Sequence, residues 1–173
     1  VYGSSDSLDY DNSVNTFRFL SSFTLSENLN LVFGSEYLNE KQSSVQNNIA
    51  DRELNDVVLF TQGEYNLFNS LFLTAGLRGD IHDIFGVNLT PQLNALYKFD
   101  VFQLRAGYGM GYRTPTAKEL YTNHFQIPYV GYLDGNSDLV PELSNYFNGS
   151  ISYQRRKVSF SVAGSVNYID NLI

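Results

Sequence analysis

The chain has 173 residues with Lys+Arg 11 against Asp+Glu 18, a formal charge of −7. That is the length of one domain, and it carries the wrong sign for a nucleic-acid binder. It contains no cysteine and only two histidines, His82 and His124, which excludes a disulfide frame or thiolate metal site and argues against an all-protein zinc site. Aromatics (13 Tyr, 13 Phe, no Trp) make up 15% of the residues, too many for a disordered chain and suited to a sheet whose two faces meet different surroundings.

The opening VYGSSDSLDYD is polar and acidic, without the basic and apolar regions of a signal peptide. The sequence therefore reads as a mature piece or an internal fragment. No run of about 18 apolar residues is present, so no transmembrane helix is expected.

Read at period two, the chain predicts eight strands. In the first, Phe17, Phe19, Phe23 and Leu25 oppose Thr16, Arg18, Ser22 and Thr24. The turn Ser26-Glu27-Asn28 leads to a second, with Leu29, Leu31, Phe33 and Tyr37 on one face. A polar loop is expected from Asn39 to Asn55. Strand three runs from about Asp56 to Asn66, and strand four sets Leu71, Leu73, Ala75, Leu77 and Ile81 against Thr74, Gly76, Arg78, Asp80 and His82. Past a bend at 83–86, strand five carries Leu89, Leu93, Ala95, Tyr97 and Phe99 on its apolar face.

Strand six puts Phe102, Leu104, Ala106, Tyr108, Met110 and Tyr112 together, opposite Gln103, Arg105, Gly107, Gly109, Gly111 and Arg113. Glycines at period two inside a strand are not a phosphate loop; they clear one face for close packing. The chain then breaks at Arg113-Thr114-Pro115, makes a short helical piece from Ala117 to Tyr121, and crosses a long Tyr-rich excursion ending near Glu142. An excursion of that length in a compact chain is usually functional or disordered. Strands seven and eight follow, with Phe147, Ile151 and Tyr153, then Val158, Phe160, Val162, Val166 and Tyr168, on the apolar face.

Most of these strands run about 10 residues, the length that crosses a bilayer rather than the usual 5–6 of soluble sheets. Connections are short after strands one, three, five and seven, and longer after two, four and six. This is the asymmetry of an outer-membrane barrel, with tight periplasmic turns and long outer loops. Tyr and Phe gather near the strand ends, where rings sit at lipid–water interfaces. The alternatives are a soluble antiparallel barrel or sandwich with the apolar face as core, and a stand-alone small outer-membrane β-barrel with a structural or adhesive role. Eight strands can close a small barrel, but the polar faces carry little bulk to fill one. The preferred fold is all-β: an antiparallel transmembrane β-barrel arc of about eight strands from a larger barrel.

Across strands four to seven the motifs run in a definite order. Gly76, Arg78 and Asp80 lead to Thr90-Pro91, then to Tyr112-Arg113-Thr114-Pro115 with Glu119-Leu120-Tyr121, then to Asn136-Ser137-Asp138-Leu139 and Val140-Pro141-Glu142. This series resembles the barrel of TonB-dependent outer-membrane receptors. The departures are Tyr112 for Phe, Thr114 for Ala, Ser137 for Pro and Val140 for Lys. The resemblance is strong over roughly residues 75–153.

The resemblance implies a barrel of about 22 strands with a plugged lumen. It implies import of iron–siderophores, haem, cobalamin or a similar large nutrient, with energy from a TonB complex acting through a plug domain absent from this chain. Residues 1–173 are then a single β-barrel segment. The implied partners are the outer-membrane lipid bilayer, the TonB complex and the nutrient ligand. No enzyme activity and no intrinsic cofactor are implied.

In the haem branch of that family an outer-loop histidine lies between the same two motifs. That makes His124 the candidate haem-iron ligand, with Tyr121, Phe125 and Tyr129 as candidate walls; the alternative is a surface loop histidine. Tyr112, Arg113, Pro115, Glu119, Asn136, Asp138, Leu139 and Glu142 are motif residues with mainly structural roles, Arg113 and Glu119 being expected to pair at the start of the loop. His82 is read as structural. The acidic residues Asp6, Asp9, Asp11, Asp51, Glu53, Asp134 and Asp138 are read as a solvated face.

Overall fold

The computed structural model describes residues 10–44, 49–122, 125–127 and 131–173. One antiparallel sheet of eight strands carries β1 (Tyr10–Ser26), β2 (Leu29–Ser44), β3 (Ile49–Leu67), β4 (Leu71–His82), β5 (Gly86–Phe99), β6 (Phe102–Arg113), β9 (Glu142–Arg155) and β10 (Val158–Asp170) in that order. Between β6 and β9 stand a short helix, α1 (Ala117–Tyr121), and a separate pair, β7 (Phe125–Ile127) with β8 (Gly131–Leu133). All eight strands expected from the alternation are present, and α1 spans the residues expected of it.

Register places the apolar residues in rows. Leu93 faces Tyr108, Tyr108 faces Phe147, and Phe147 faces Val166. Because every second residue points the same way, one whole face of the sheet becomes apolar. It stays uncovered: Phe17 is 71% exposed and Val162 67%. A soluble sandwich would fold that face onto a second layer, but this sheet remains open.

Near the short turns the apolar face ends in a line of rings. Tyr97, Phe99, Phe102, Tyr153 and Phe160 touch in succession at centroid separations of 5.5, 5.4, 5.3 and 5.0 Å. The two shortest strands of the sheet, β4 and β6, have 12 residues each. At about 3.4 Å per residue and ~45° tilt, such a strand rises roughly 28 Å, near the thickness of a hydrocarbon core.

The opposite face is polar and internally paired. Arg18 bonds Glu36, Arg78 bonds Asp80 at 2.6 Å, and Gln92 donates to Gln62 at 2.9 Å. The glycines of β6 serve neighbouring side chains. A Cβ at Gly107 would lie 2.5 Å from Asn94 Oδ1 and 2.7 Å from Asn148 Nδ2, so these amides lie over the bare backbone.

Two expectations need correction. The stretch from Asn39 to Asn55 is not a loop; β2 continues to Ser44 and β3 begins at Ile49, with Asn39 facing Asn55 and Lys41 facing Glu53. Polar residues dominate this extension, with Leu54 alone apolar from Asp51 to Asn55, so no alternation betrays it, yet the ladder still satisfies the backbone. Asn39 Nδ2 donates to Glu53 and Asn55, and Lys41 pairs with Glu53 at 3.4 Å. From Tyr37 to Ser44 the hairpin reaches on the order of 20 Å beyond the apolar band.

The second correction concerns the outer part of β6. Lys98 N–H donates to Ser70 O, so even-numbered β5 residues bond to β4 and odd-numbered ones to β6. Pro91 falls on the β6 side and has no N–H to give. The β5–β6 ladder stops there, at Gln92–Gly109, while β6 stays paired with β9 as far as Arg113–Glu142. Freed from β5, Tyr112 does not keep to the apolar face. Its buried hydroxyl has no hydrogen-bond partner among the described residues. It also lies within electrostatic reach of Asp80 and Asp56, on the polar face two and three strands away.

Candidate functional site

The buried apolar residues of the described chain collect at the long-connection end. Leu54 and Val58 of β3, Ala117 and Leu120 of α1, and Pro115 form a small core there. Leu54 shares a face with Val58 and Arg52, and the Arg52 guanidinium carbon sits 4.4 Å from the centroid of the Tyr121 ring. Helix α1 leaves β6, passes over the polar face and rests on β3.

The local sequence explains the helix. Thr116-Ala-Lys-Glu119 is a capping box: Glu119 N–H donates to Thr116 Oγ1 at 3.3 Å, and Glu119 Oε2 accepts from Thr116 N–H at 2.8 Å. Pro115 precedes the cap, where its missing N–H costs nothing. A helix of five residues is too short to stand alone, and the burial of Ala117 and Leu120 supplies what propensity does not.

Arg113 joins the two ends of the excursion. Its guanidinium bonds Glu119 at 2.5 Å and Glu142 at 3.1 Å, the first being the pair expected from sequence. Glu142 also accepts from the Ile173 N–H at 2.7 Å. Partial burial alone would raise the Glu119 carboxyl, but the Thr116 N–H, the Arg113 guanidinium and the Thr116 hydroxyl together hold it below the usual range.

Farther along, the chain returns to the helix. Gly135 N–H donates to Thr122 O at 2.7 Å and Asn136 N–H to Glu119 O at 2.8 Å. Asn136 then turns the chain, its Oδ1 accepting from Asp138 N–H at 2.9 Å while its carbonyl accepts from Leu139 N–H at 3.3 Å. The motif residues Arg113, Pro115, Glu119, Asn136, Asp138, Leu139 and Glu142 thus occupy one compact base.

Of the candidate ligand residues, His124 and Tyr129 lie outside the described residues, as does the side chain of Phe125, whose backbone belongs to β7. Tyr121 sits beneath the closure at Thr122, its ring held by Arg52. His82 is buried, and its Nδ1 accepts from Ile84 N–H at 3.1 Å and Phe85 N–H at 3.4 Å, a turn-forming role. Among the described residues no group of three or more His, Cys, Asp or Glu is placed to hold a metal ion. Sequence reasoning missed Arg52 and Gly135. Arg52 lay in a stretch read as loop, and the Gly135 contact depends on a return of the chain that no local pattern announces.

The TonB dependent receptor-like β-barrel family matches residues 1–173. Among curated relatives, the vitamin B12 transporter BtuB of Photobacterium profundum is 26% identical over 152 residues, covering 87% of this chain and 23% of that protein. The ferrienterobactin receptor of Escherichia coli is 34% identical over 96 residues, covering 50% of this chain and 13% of that protein. Among solved structures, the siderophore receptor PirA from Pseudomonas aeruginosa superposes with a TM-score of 0.76 at 23% identity, covering 91% of this chain and 32% of that one. The chain therefore spans about a quarter or less of the curated relatives it matches. With an open eight-stranded antiparallel sheet and a family match along its whole length, the chain belongs to the TonB-dependent receptors as an arc of their β-barrel.

Proposed function

We propose that this chain is part of the wall of an outer-membrane receptor that imports an iron complex, haem, cobalamin or a comparable large nutrient with TonB-supplied energy. The apolar face meets the lipid of a diderm bacterium's outer membrane, the polar face lines the lumen, and the long connections lie outside the cell. The plug domain through which TonB acts and the remaining strands belong to sequence beyond this chain. The protein is a receptor, not an enzyme, and its metal or cofactor is cargo.

The observation that carries this reading is the excursion between β6 and β9. In a receptor family, a long excursion seated on a built base at the end opposite the tight turns is where a scarce ligand is met. The relatives include a cobalamin transporter and a siderophore receptor. If the cargo is haem, His124 is the iron ligand, and Phe125 and Tyr129 flank the porphyrin. Tyr121 is assigned to the base because Arg52 already occupies one face of its ring.

The test uses the full-length receptor in an outer-membrane host lacking its own uptake systems. Ferric enterobactin, cyanocobalamin and haemin are supplied separately, with and without TonB. TonB-dependent accumulation of one of them is the expected result, and accumulation of none, or uptake indifferent to TonB, counts against the proposal. Should haemin be the one, His124→Ala is expected to lower its affinity at least tenfold and shift the Soret band. Unchanged affinity and spectrum would remove His124 from the site.

A further inference from the structure

We propose that Gly135 is a positioning residue: by closing backbone to backbone on the C-terminal end of α1, it turns the base of the excursion into a fixed ledge on the rim. The proposal rests on reading the excursion as the ligand-meeting loop of a nutrient receptor.

The constraint at Gly135 is space. Its φ is not in the left-handed region, unlike those of Gly86 and Gly131. A Cβ there would stand 2.8 Å from Leu120 C, 2.8 Å from Thr122 N and 2.9 Å from Glu119 O. All three are backbone atoms, which cannot swing aside as a flexible side chain would. Even alanine must push the returning chain away from the helix, stretching the 2.7 Å bond from Gly135 N–H to Thr122 O and the 2.8 Å bond from Asn136 N–H to Glu119 O.

Those two bonds are the upper tie of a structure fastened at three other points. Arg113 bridges Glu119 and Glu142 at the foot, Leu120 is buried at the underside of the helix, and Tyr121 lies on Arg52 of β3. With all four in place, the chain between Thr122 and Gly135 leaves the rim from two points held together. Gly135 acts on ligand capture only through this placement. Its substitution should therefore weaken capture without slowing the transport that follows, because no atom of the ledge is required once the ligand has moved on.

The experiment is hydrogen exchange by mass spectrometry on the full-length receptor in lipid nanodiscs, as parent, Gly135→Ala and Gly135→Val. Uptake kinetics are run in cells with ferric enterobactin, cyanocobalamin and haemin. Exchange of the 116–122 amides is expected to rise at least tenfold in Gly135→Ala and more in Gly135→Val, with β9 and β10 unchanged as proof of an intact barrel. For whichever probe the parent imports, KM is expected to rise several-fold at constant maximal rate. Exchange unaltered in Gly135→Val overturns the proposal, as does a fall in maximal rate at constant KM.

Should the Gly135 variants fail to assemble, Arg52→Ala and Tyr121→Phe decide. The first should raise exchange across α1 and the second, which keeps the ring, should not; equal behaviour of the two overturns the ledge. If the parent imports none of the three probes, the functional reading fails while the exchange data still judge Gly135.

Discussion

The spanning band and the rim ledge are held together by opposite means. In the band, the apolar side chains of one face stay exposed; register and backbone ladder fix the structure, and in the proposed receptor it is lipid that supplies the apolar environment. At the ledge, Pro115, Ala117, Leu120, Leu54 and Val58 are buried against one another, as in a water-soluble domain. One chain thus leaves its apolar face open in one region, for lipid in the proposed receptor, and builds its own apolar core in another. The same substitution chemistry should therefore have different effects in the two places.

The largest contrast is expected across the sheet. Val166 shares a row with Phe147, Tyr108 and Leu93 near the middle of the band. Val166→Arg should destabilise the full-length barrel by about 2–4 kcal/mol, the cost of a cation at the bilayer midplane. Ser165→Arg, one residue away on the polar face, should cost well under half of that. Urea titrations of folding into lipid vesicles measure both, and equal losses would abolish the distinction between faces.

Next comes the ledge core. Leu120→Ala removes a buried side chain and should weaken α1 by about 2–3 kcal/mol, read as roughly a hundredfold faster exchange of helix amides while barrel stability stays unchanged. Loss of barrel stability instead would show that band and ledge are one cooperative unit.

The smallest effect is electrostatic. Glu119 has its carboxyl held below the usual glutamate range in the folded ledge, so the unfolded loop takes up the proton first as pH falls. The stability it contributes is complete at neutral pH, begins to decline in the ordinary glutamate range, and is gone below the lowered folded value. Exchange of the Thr116 and Glu119 amides should be roughly two- to fivefold faster in Glu119→Gln at pH 7, the scale of an exposed ion pair, and the difference should shrink as pH falls below the ordinary glutamate range. An effect growing toward low pH would reverse the assignment.

How much of this was legible in the sequence depended on whether a residue's surroundings were local. Alternation revealed β4, β5, β6, β9 and β10, because each has unlike phases on its two faces. The span of α1 was legible after the break at Arg113-Thr114-Pro115, whereas the Thr116–Glu119 capping box that fixes its start emerged with the structure. The β2–β3 extension was hidden, since an almost wholly polar run shows no alternation, and the helix that covers Leu54 and meets Arg52 is brought to it only by the fold. Tyr112 was assigned to the wrong face because the period continues through Gly111 while the ladder does not, and only hydrogen-bond parity shows that Pro91 breaks it. Gly135 and Arg52 act on partners that are brought to them by the fold of the excursion, beyond the reach of any window.

Pro91 also sets how the rim carries force. Beyond Gly109, β6 is zipped to β9 through Arg113–Glu142 and detached from β5. A pull on the excursion is therefore borne by the β6–β9 pair, with Arg113 as its uppermost rivet. The β4–β5 hairpin beside it is spared the load, and the wall has a built-in crease along which one side can yield without tearing the other.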